Sequence, residues 1–237
     1  MRIISIAIAP LNMVKSFAII DKKVIIVDTG FEGSGDKILK KLNREGIRNK
    51  DISLILLTHS HADHSGSALY LKNLLNVPVA IHKAETHDLT HGIKRPYRPT
   101  SWKGKLWLNT PLARTTYDRV KPDVILEDSV SLEIYGVRGR IIHTPGHTPG
   151  SISIFLDNGE LIAGDLLAGG IFVGGIMNHG TPIIPPFHED IPLTKSSVQK
   201  VLNLNPKKIH VCHGGPLNIK KVQNMIDSFE WVDPYKI

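Results

Sequence analysis

The chain has 237 residues, of which 41% are hydrophobic, and its 29 basic and 22 acidic side chains give a net charge of +7. A chain of this length and hydrophobicity can bury a substantial core as one large α/β domain. No apolar stretch is long enough to cross a bilayer, and the one cysteine, Cys212, excludes an internal disulfide framework. We therefore expect a cytoplasmic protein without a membrane partner.

The first half of the chain alternates short apolar runs with stretches of helical spacing. Residues 3–10 look faintly like a secretion signal, but the apolar part is short and no small-residue cleavage site follows it, so we interpret it as part of a first strand. Strands are predicted at residues 2–9, 16–20, 23–27, 52–57 and 77–81. Helices are predicted at residues 36–45, with Gly46 as the stop, and at residues 67–75.

The second half of the chain returns to strands after a long middle segment. Strands are predicted at residues 131–135, 140–143, 151–156, 161–163 and 208–212. Helices are predicted at residues 194–204 and 218–231. Helices and strands that alternate, with hairpins early and in the middle, indicate two mixed sheets packed face to face with helices outside.

The residues that carry chemistry follow the strand at 52–57. His59 and His61 are two apart and can converge on one metal ion, while Asp63 and His64 can begin a second site. Neutral imidazole and carboxylate suit zinc, and iron and manganese accept the same donors. The alternative is a surface loop that is merely rich in histidine. Four metal-donor residues within six positions disfavour that interpretation.

This H-x-H-x-D-H signature is followed and preceded by four further landmarks in the chain. They are Val27-Asp28-Thr29-Gly30, the segment from Thr144 to Ser151 that contains His147, the turn Gly164-Asp165, and Cys212-His213-Gly214-Gly215-Pro216. Together and in this order they resemble the metallo-β-lactamase superfamily of binuclear metallohydrolases, over about residues 16–216. The resemblance implies an αββα four-layer sandwich of two mixed β-sheets flanked by helices, as a single domain over residues 1–237.

The resemblance also implies a role for each landmark residue. The first metal would be held by His59, His61 and His147. The second would be held by Asp63, His64 and His213, with Asp165 bridging the two. Two zinc ions per chain are expected, with iron or manganese as alternatives, and a hydroxide shared between them would be the nucleophile. Asp63 or Asp165 would help to move the proton.

Two residues near the ligands are given supporting roles. Asp28 would accept a hydrogen bond from a ligand histidine or from the metal loop. Cys212 precedes a ligand on a predicted strand, where neighbouring side chains point to opposite faces. We therefore interpret Cys212 as a buried structural thiol that faces away from the metals.

The middle segment, at about residues 91–127, is predicted to be a basic, aromatic-containing insertion. Residues 94–121 hold eight basic side chains and one acidic one, a balance of +7 that equals the net charge of the whole chain. One hypothesis is a lid or wall that recruits an anionic substrate, with Arg95 and Arg98 binding it. The alternatives are a solvated loop and a subunit interface in a homodimer. His179 and His188, after Asp165, are further candidates for contact with substrate.

The reaction implied by the resemblance is hydrolysis of an activated ester of a small-molecule substrate, with thioesters and lactones both open. A phosphodiesterase or nuclease is the first alternative, although the accessory domain of larger nucleases would not fit in this length, so a nucleic-acid partner is disfavoured. A persulfide dioxygenase with one iron, and a binding module that has lost catalysis, are further alternatives. β-Lactamases typically place cysteine or serine where Asp165 stands here, which disfavours that activity.

Overall fold

The computed structural model describes residues 1–171 and 177–228, without the side chains of Lys103 and Leu112. Over these residues the strands are β1 (Arg2–Ala7), β2 (Lys15–Ile20), β3 (Val24–Val27), β4 (Ile52–Leu56), β5 (Val79–His82), β6 (Val124–Leu126), β7 (Gly139–His143), β8 (Ile152–Leu156), β9 (Glu160–Ile162), β10 (Ala168–Gly169), β11 (Pro182–Ile183) and β12 (Lys208–His210). The helices are α1 (Gly35–Arg44), α2 (Ala62–Ser65), α3 (Ala68–Leu75), α4 (Thr86–His91), α5 (Trp102–Trp107), α6 (Ile191–Leu202) and α7 (Ile219–Ser228).

The strands form two large mixed sheets. Within the described ranges, the first sheet has the order β1-β2-β3-β4-β5-β6, and the second has the order β12-β9-β8-β7. β1, β2 and β3 pair antiparallel, whereas β3 to β6 pair parallel. In the second sheet, β12 and β9 pair parallel and the other pairs are antiparallel. β10 and β11 pair separately as a short hairpin.

Alternating side chains of the central strands place each sheet between two apolar layers, because successive residues of a strand point to opposite faces. In β3, Ile25 and Val27 enter the core between the two sheets, whereas Val24 and Ile26 pack against the helices on the other side. The helical layer over the first sheet comes from α1 and α3. The helices and sheets therefore lie in the order helix, sheet, sheet, helix.

The second sheet repeats this alternation on the opposite side of the molecule. Ile141 of β7 lies in the core between the sheets, and its neighbour Ile142 packs outward with α6 and α7. Val198 and Val222 carry the apolar faces of those helices. The predicted αββα arrangement of two mixed sheets with flanking helices is confirmed.

Several predicted elements differ from the structure. The strand predicted at residues 131–135 is wrong, because the chain forms a 3-10 turn at Glu133–Tyr135 and Ser131 makes only an isolated bridge to Arg140. Leu132 is buried but Ile134 is 80% exposed, so the apolar alternation there did not mark one face of a strand. The helix predicted at 218–231 ends at Ser228 as far as the described residues reach, and residues 229–231 lie outside them.

The middle segment is only partly an insertion, since its last residues form β6 at the edge of the first sheet. It also contains the helix α5, which the sequence did not predict. Across the described part of the chain, no helix combines the length and apolarity needed to span a membrane. The single domain over residues 1–237, the cytoplasmic location and the homodimer stay predictions.

Candidate metal centre

The metal-binding candidates lie where strands of both sheets end. His59 and His61 follow β4, Asp63 and His64 belong to the short helix α2, and His147, Asp165 and His213 follow β7, β9 and β12. These last three strands run in the same direction, because β9 is parallel to β12 and is related to β7 by two antiparallel pairings. Their carboxyl ends therefore present three loops along one edge of the second sheet, opposite the loop of the first sheet.

Three histidines form a compact first group. His59 Nε2 and His147 Nε2 each lie 3.0 Å from His61 Nδ1, and all three rings are buried. The rings stand nearly perpendicular to one another, at interplanar angles of 77°, 88° and 83°. Three lone pairs can therefore converge on one point, as a tetrahedral metal ion requires.

Asp63, His64 and His213 form a second group, and Asp165 lies between the two groups. Asp165 Oδ2 is 3.0 Å from His213 Nε2 and 3.5 Å from His64 Nε2. The same oxygen is 3.6 Å from His147 Nε2 of the first group. Asp63 Oδ2 lies 3.7 Å from His64 Nε2 and 3.5 Å from His213 Nε2. The seven predicted ligands are thus brought together, with one carboxylate shared.

Hydrogen bonds from the outer ring nitrogens fix the orientation of the histidines. His147 Nδ1 donates to the carbonyl of Phe187 at 2.8 Å, and His213 Nδ1 donates to the carbonyl of Met13. His64 Nδ1 donates to the carboxylate of Asp28 at 2.9 Å. A carbonyl or carboxylate oxygen can only accept, so the proton sits on Nδ1 and the Nε2 lone pair of each ring is directed to the centre.

Two buried atoms at the centre have no hydrogen-bond partner, His64 Nε2 and Asp165 Oδ1. A buried polar atom without a partner is costly, and metal coordination would satisfy both. Imidazole and carboxylate are donors suited to zinc, iron and manganese. The residues present therefore fit two divalent cations.

A third cluster, His82, Asp128 and His143, also brings donor atoms close together. Its two imidazole rings are stacked, with centroids 4.1 Å apart and an interplanar angle of 13°. His82 Nε2 and His143 Nδ1 lie 3.7 and 3.1 Å from the same oxygen, Oδ1 of Asp128, whose side chain is 60% exposed. This cluster is therefore partly open to solvent and its rings are parallel, unlike the buried and perpendicular rings of His59, His61 and His147.

The two groups at the centre differ in electrostatics. Burial lowers the pKa of His61 to about 4 and that of His147 to about 3, so both are neutral near pH 7 and ready to donate to a cation. For His64, burial opposes the charged form, but the carboxylates of Asp165, Asp63 and Asp28 outweigh it and raise the pKa. The second group therefore attracts positive charge, which a proton supplies when no cation is bound.

Asp28 is a fully buried carboxylate that connects the two sheets to the metal loop. It accepts hydrogen bonds from the Thr58 backbone N–H at 2.7 Å and from the Thr58 hydroxyl at 2.8 Å, besides the bond from His64. Its backbone has a positive φ of 57°, a conformation that Asp and Asn adopt more readily than most residues. Asp28 thus contacts both a candidate ligand histidine and the metal loop.

Cys212 does not face away from the centre as the alternation argument predicted. β12 ends at His210, so Cys212 lies beyond the strand and the two-residue period does not extend to it. Its thiol donates to Asp28 Oδ2 at 3.3 Å and is completely buried. Burial and the neighbouring Asp28 raise the pKa of the thiol, so it is protonated when no cation is bound.

Glu85 is a buried carboxylate that the sequence reasoning missed. Its Oε2 accepts from the Ser60 N–H at 3.1 Å and from the Ser60 hydroxyl at 2.5 Å, and its Oε1 accepts from the Gly150 N–H at 2.9 Å. Ser60 lies between His59 and His61, and Gly150 lies in the loop of His147. One side chain thus holds both loops of the first group. The sequence pattern that could have identified Glu85 is its position shortly after a predicted strand, where the candidate ligands also lie.

Arg95, predicted to bind substrate, is instead paired with three carboxylates. Its Nε lies 2.5 Å from Asp88 Oδ2 and 3.9 Å from Glu85 Oε2, and its Nη1 lies 3.2 Å from Glu189 Oε1. The Glu189 N–H donates to the carbonyls of Gly146 and His147. Arg95 therefore supports the loops of the first group, and its guanidinium is already paired with acidic side chains.

We expect Arg95→Met to weaken metal binding at the first group about 10- to 100-fold, the usual effect of losing a residue that positions ligands. The reason is that three carboxylates would lose their shared counter-charge. Chelator competition would measure the affinity, with Arg98→Met, at an exposed position, as the matched control. If Arg95→Met instead raised KM selectively for an anionic ester, Arg95 would bind substrate, which would contradict its role as a support of the metal loops.

A cavity of about 200 Å³ opens onto His61, Asp63, His147, Asp165 and His213. Tyr97, Trp107 and Thr115 of the middle segment line it, so this segment does form a wall beside the centre. Phe31 and Phe187, which the sequence reasoning did not select, complete the aromatic part of the wall.

The remaining substrate candidates are outside the lining of this cavity. Arg98 is exposed, and the backbone carbonyl of His179 accepts from the Gly215 N–H at 3.1 Å. His188 is buried, with its ring 5.0 Å from that of His147, and its Nδ1 bonds Thr194 Oγ1 at 3.0 Å. His188 therefore packs against a ligand ring rather than facing the cavity.

Comparison with known proteins points to the same family as the sequence motifs. A sequence model described as the metallo-β-lactamase superfamily matches residues 10–213. The probable metallo-hydrolase MJ0888 of Methanocaldococcus jannaschii is 36% identical over 149 residues, 63% of this chain and 65% of that protein. The chain thus spans just under two thirds of that relative. The probable metallo-hydrolase YflN of Bacillus subtilis is 29% identical, over 84% of this chain and 78% of its own length.

Solved structures show the same fold at low sequence identity. The metallo-β-lactamase family protein TTHA1429 of Thermus thermophilus aligns with a TM-score of 0.66 and 21% identity, over 95% of this chain and 78% of its own. The B3 metallo-β-lactamase BLEG-1 aligns with a TM-score of 0.67 and 23% identity, over 94% and 97%. The sequence match, the fold and the convergent histidines and aspartates agree, and this chain belongs to the metallo-β-lactamase superfamily.

Proposed function

We propose that the chain hydrolyses an activated ester, either a thioester or a lactone, at a centre of two zinc ions. His59, His61 and His147 would hold one ion, and Asp63, His64 and His213 the other. The observation that carries the proposal is the position of Asp165, whose Oδ2 lies within 3.6 Å of ring nitrogens from both groups. A carboxylate placed in this way can bridge two cations.

The bound cations would lower the pKa of a water molecule and polarise the ester carbonyl. Burial opposes ionisation of Asp165, but His213 and His64 outweigh it and hold its pKa well below the usual range. Asp165 therefore stays ionised and does not store a proton. Asp63 keeps 19% of its side chain exposed and lines the cavity, so it is the carboxylate placed to take a proton and pass it to the leaving group.

The alternatives receive less support. A phosphodiesterase binds a polyanion, yet no lysine or arginine lines the cavity among the residues that the structure describes. A dioxygenase with one iron would need only one metal group, whereas Asp63, His64 and His213 form a second. A binding module without catalysis would not need seven convergent donors.

The test is hydrolysis by the metal-loaded chain of a thioester, a lactone, a phosphodiester and a β-lactam under the same conditions. We expect turnover of the thioester or the lactone, lost on chelation and restored by zinc. Turnover of the phosphodiester alone would favour the nuclease alternative. No turnover of any of the four by a chain holding two zinc ions would overturn the proposed reaction.

A further inference from the structure

The cavity beside the metal centre has a wall of aromatic and aliphatic side chains. Phe31, Tyr97, Trp107 and Phe187 provide the aromatic surface, and Met13 and Val14 add aliphatic surface. The charged side chains that line it in the described part of the chain are those of the candidate ligands.

This wall is fixed relative to the metal-binding side chains. The Tyr97 ring lies 5.0 Å from the ring of His61 and 4.8 Å from that of Phe187, measured between centroids. The carbonyl of Phe187 accepts the hydrogen bond from His147 Nδ1. Two ligands of the first group are therefore in contact with wall residues, so a group bound against the wall has a defined distance to the reacting centre.

No lysine or arginine lines this cavity in the described part of the chain, and the ammonium of Lys94, 5.4 Å from the centroid of the Tyr97 ring, donates to the carbonyl of Ala113. The guanidinium of Arg95 is taken by Asp88, Glu85 and Glu189, and Arg98 is exposed outside the cavity. An anionic group held against the aromatic wall, away from the candidate ligands, would lose its hydration without a lysine or arginine to pair with, which is unfavourable. An apolar group instead gains binding free energy in proportion to the area that it buries there.

We propose that the cavity selects an uncharged, apolar acyl group, so that the substrate is an aliphatic or aryl ester and not an anionic one. This proposal rests on the proposed function, because it assigns the acyl side of the same ester. It replaces the anionic substrate expected from the local basicity. The wall residues Trp107 and Tyr97 are the specificity-determining side chains, and the carbonyl of the bound ester lies toward His61 and Asp63.

The test uses thioesters of mercaptoethanol, so that the leaving group is small, neutral and constant. We expect kcat/KM to rise about fourfold for each methylene added between acetyl and hexanoyl. In the succinyl thioester a carboxylate replaces the terminal methyl of the butyryl one, and its kcat/KM should be at least about tenfold lower. Equal values for butyryl and succinyl, or a preference for succinyl, would overturn the proposal.

Two variants of α5 assign the effect to the wall. Trp107→Ala should lower the hexanoyl-to-acetyl ratio of kcat/KM about tenfold, the loss expected from removing most of one aromatic wall. Leu106→Ala, next to it but 61% exposed, should leave the ratio unchanged. An unchanged ratio in Trp107→Ala would overturn the assignment to this wall.

Binding of a thioether separates this proposal from the proposed reaction. The hexyl thioether of mercaptoethanol cannot be hydrolysed, and isothermal titration should show that it binds the metal-loaded chain more tightly than the ethyl thioether does. This result without any ester turnover would support the apolar site and overturn the reaction. Ester turnover with equal or undetectable binding of both thioethers would overturn the apolar site and leave the reaction in place.

Discussion

His61→Ala is expected to lower the metal content of the chain from two ions to about one and to reduce ester hydrolysis about 10³-fold or more. His61 Nδ1 is the point from which His59 Nε2 and His147 Nε2 are each 3.0 Å away, so its removal leaves the first group with two of its three nitrogens. Charge stabilisation by a catalytic metal contributes several kcal/mol, and about 4 kcal/mol corresponds to a factor of about 10³.

The matched control for this change is His87→Ala, since the His87 side chain is 72% exposed and lies away from the seven candidate ligands. Elemental analysis and kcat measurements on both variants give the comparison. Unchanged turnover in His61→Ala with two metals still bound would contradict the assignment of the first group.

Asp28→Asn is expected to weaken metal binding at the second group about 10- to 100-fold and to lower the free energy of unfolding by about 1–3 kcal/mol. Asparagine keeps the size of the side chain and tolerates the positive φ of 57° at this position. It cannot accept with both terminal atoms, so either Thr58 or His64 loses an acceptor in a fully buried site. Calorimetry with and without zinc would separate the two effects.

Asp157→Asn provides the control for Asp28→Asn, because Asp157 is exposed in a turn and we expect no change in either quantity there. Equal metal affinity in the Asp28 variant and the original chain would mean that His64 is oriented without Asp28. If Asp28→Asn lowered the free energy of unfolding without changing metal affinity, the role of Asp28 would be structural only.

The sequence predicts the elements next to the metal centre well, because their apolar residues are buried on both faces or alternate cleanly. The strand predicted at residues 52–57 is β4, which ends one residue earlier, and the strand predicted at 140–143 is β7, which begins one residue earlier. The prediction of a strand at 131–135 was wrong because apolar and polar residues also alternate in the 3-10 turn found there. β6 was not predicted, since it is a three-residue edge strand whose central residue, Ile125, is 59% exposed.

The candidate ligands were accessible from the sequence because they lie in short motifs, each at the end of a strand. The pairing of Arg95 with Glu189 was not, because 94 residues of sequence separate the two. Local basicity therefore predicted an anion site where folding places a network of internal ion pairs. The apolar cavity was not predicted for the same reason. Its wall combines residues from three segments far apart in the sequence, represented by Phe31, Trp107 and Phe187.

Metal content per chain, measured by elemental analysis of protein purified in the presence of zinc, tests the binuclear centre most directly. The arrangement of His59, His61 and His147 against Asp63, His64 and His213, with Asp165 shared, leads us to expect two zinc ions per chain. It also leads us to expect about one in His61→Ala. One ion or none in the original chain would contradict the two-metal account.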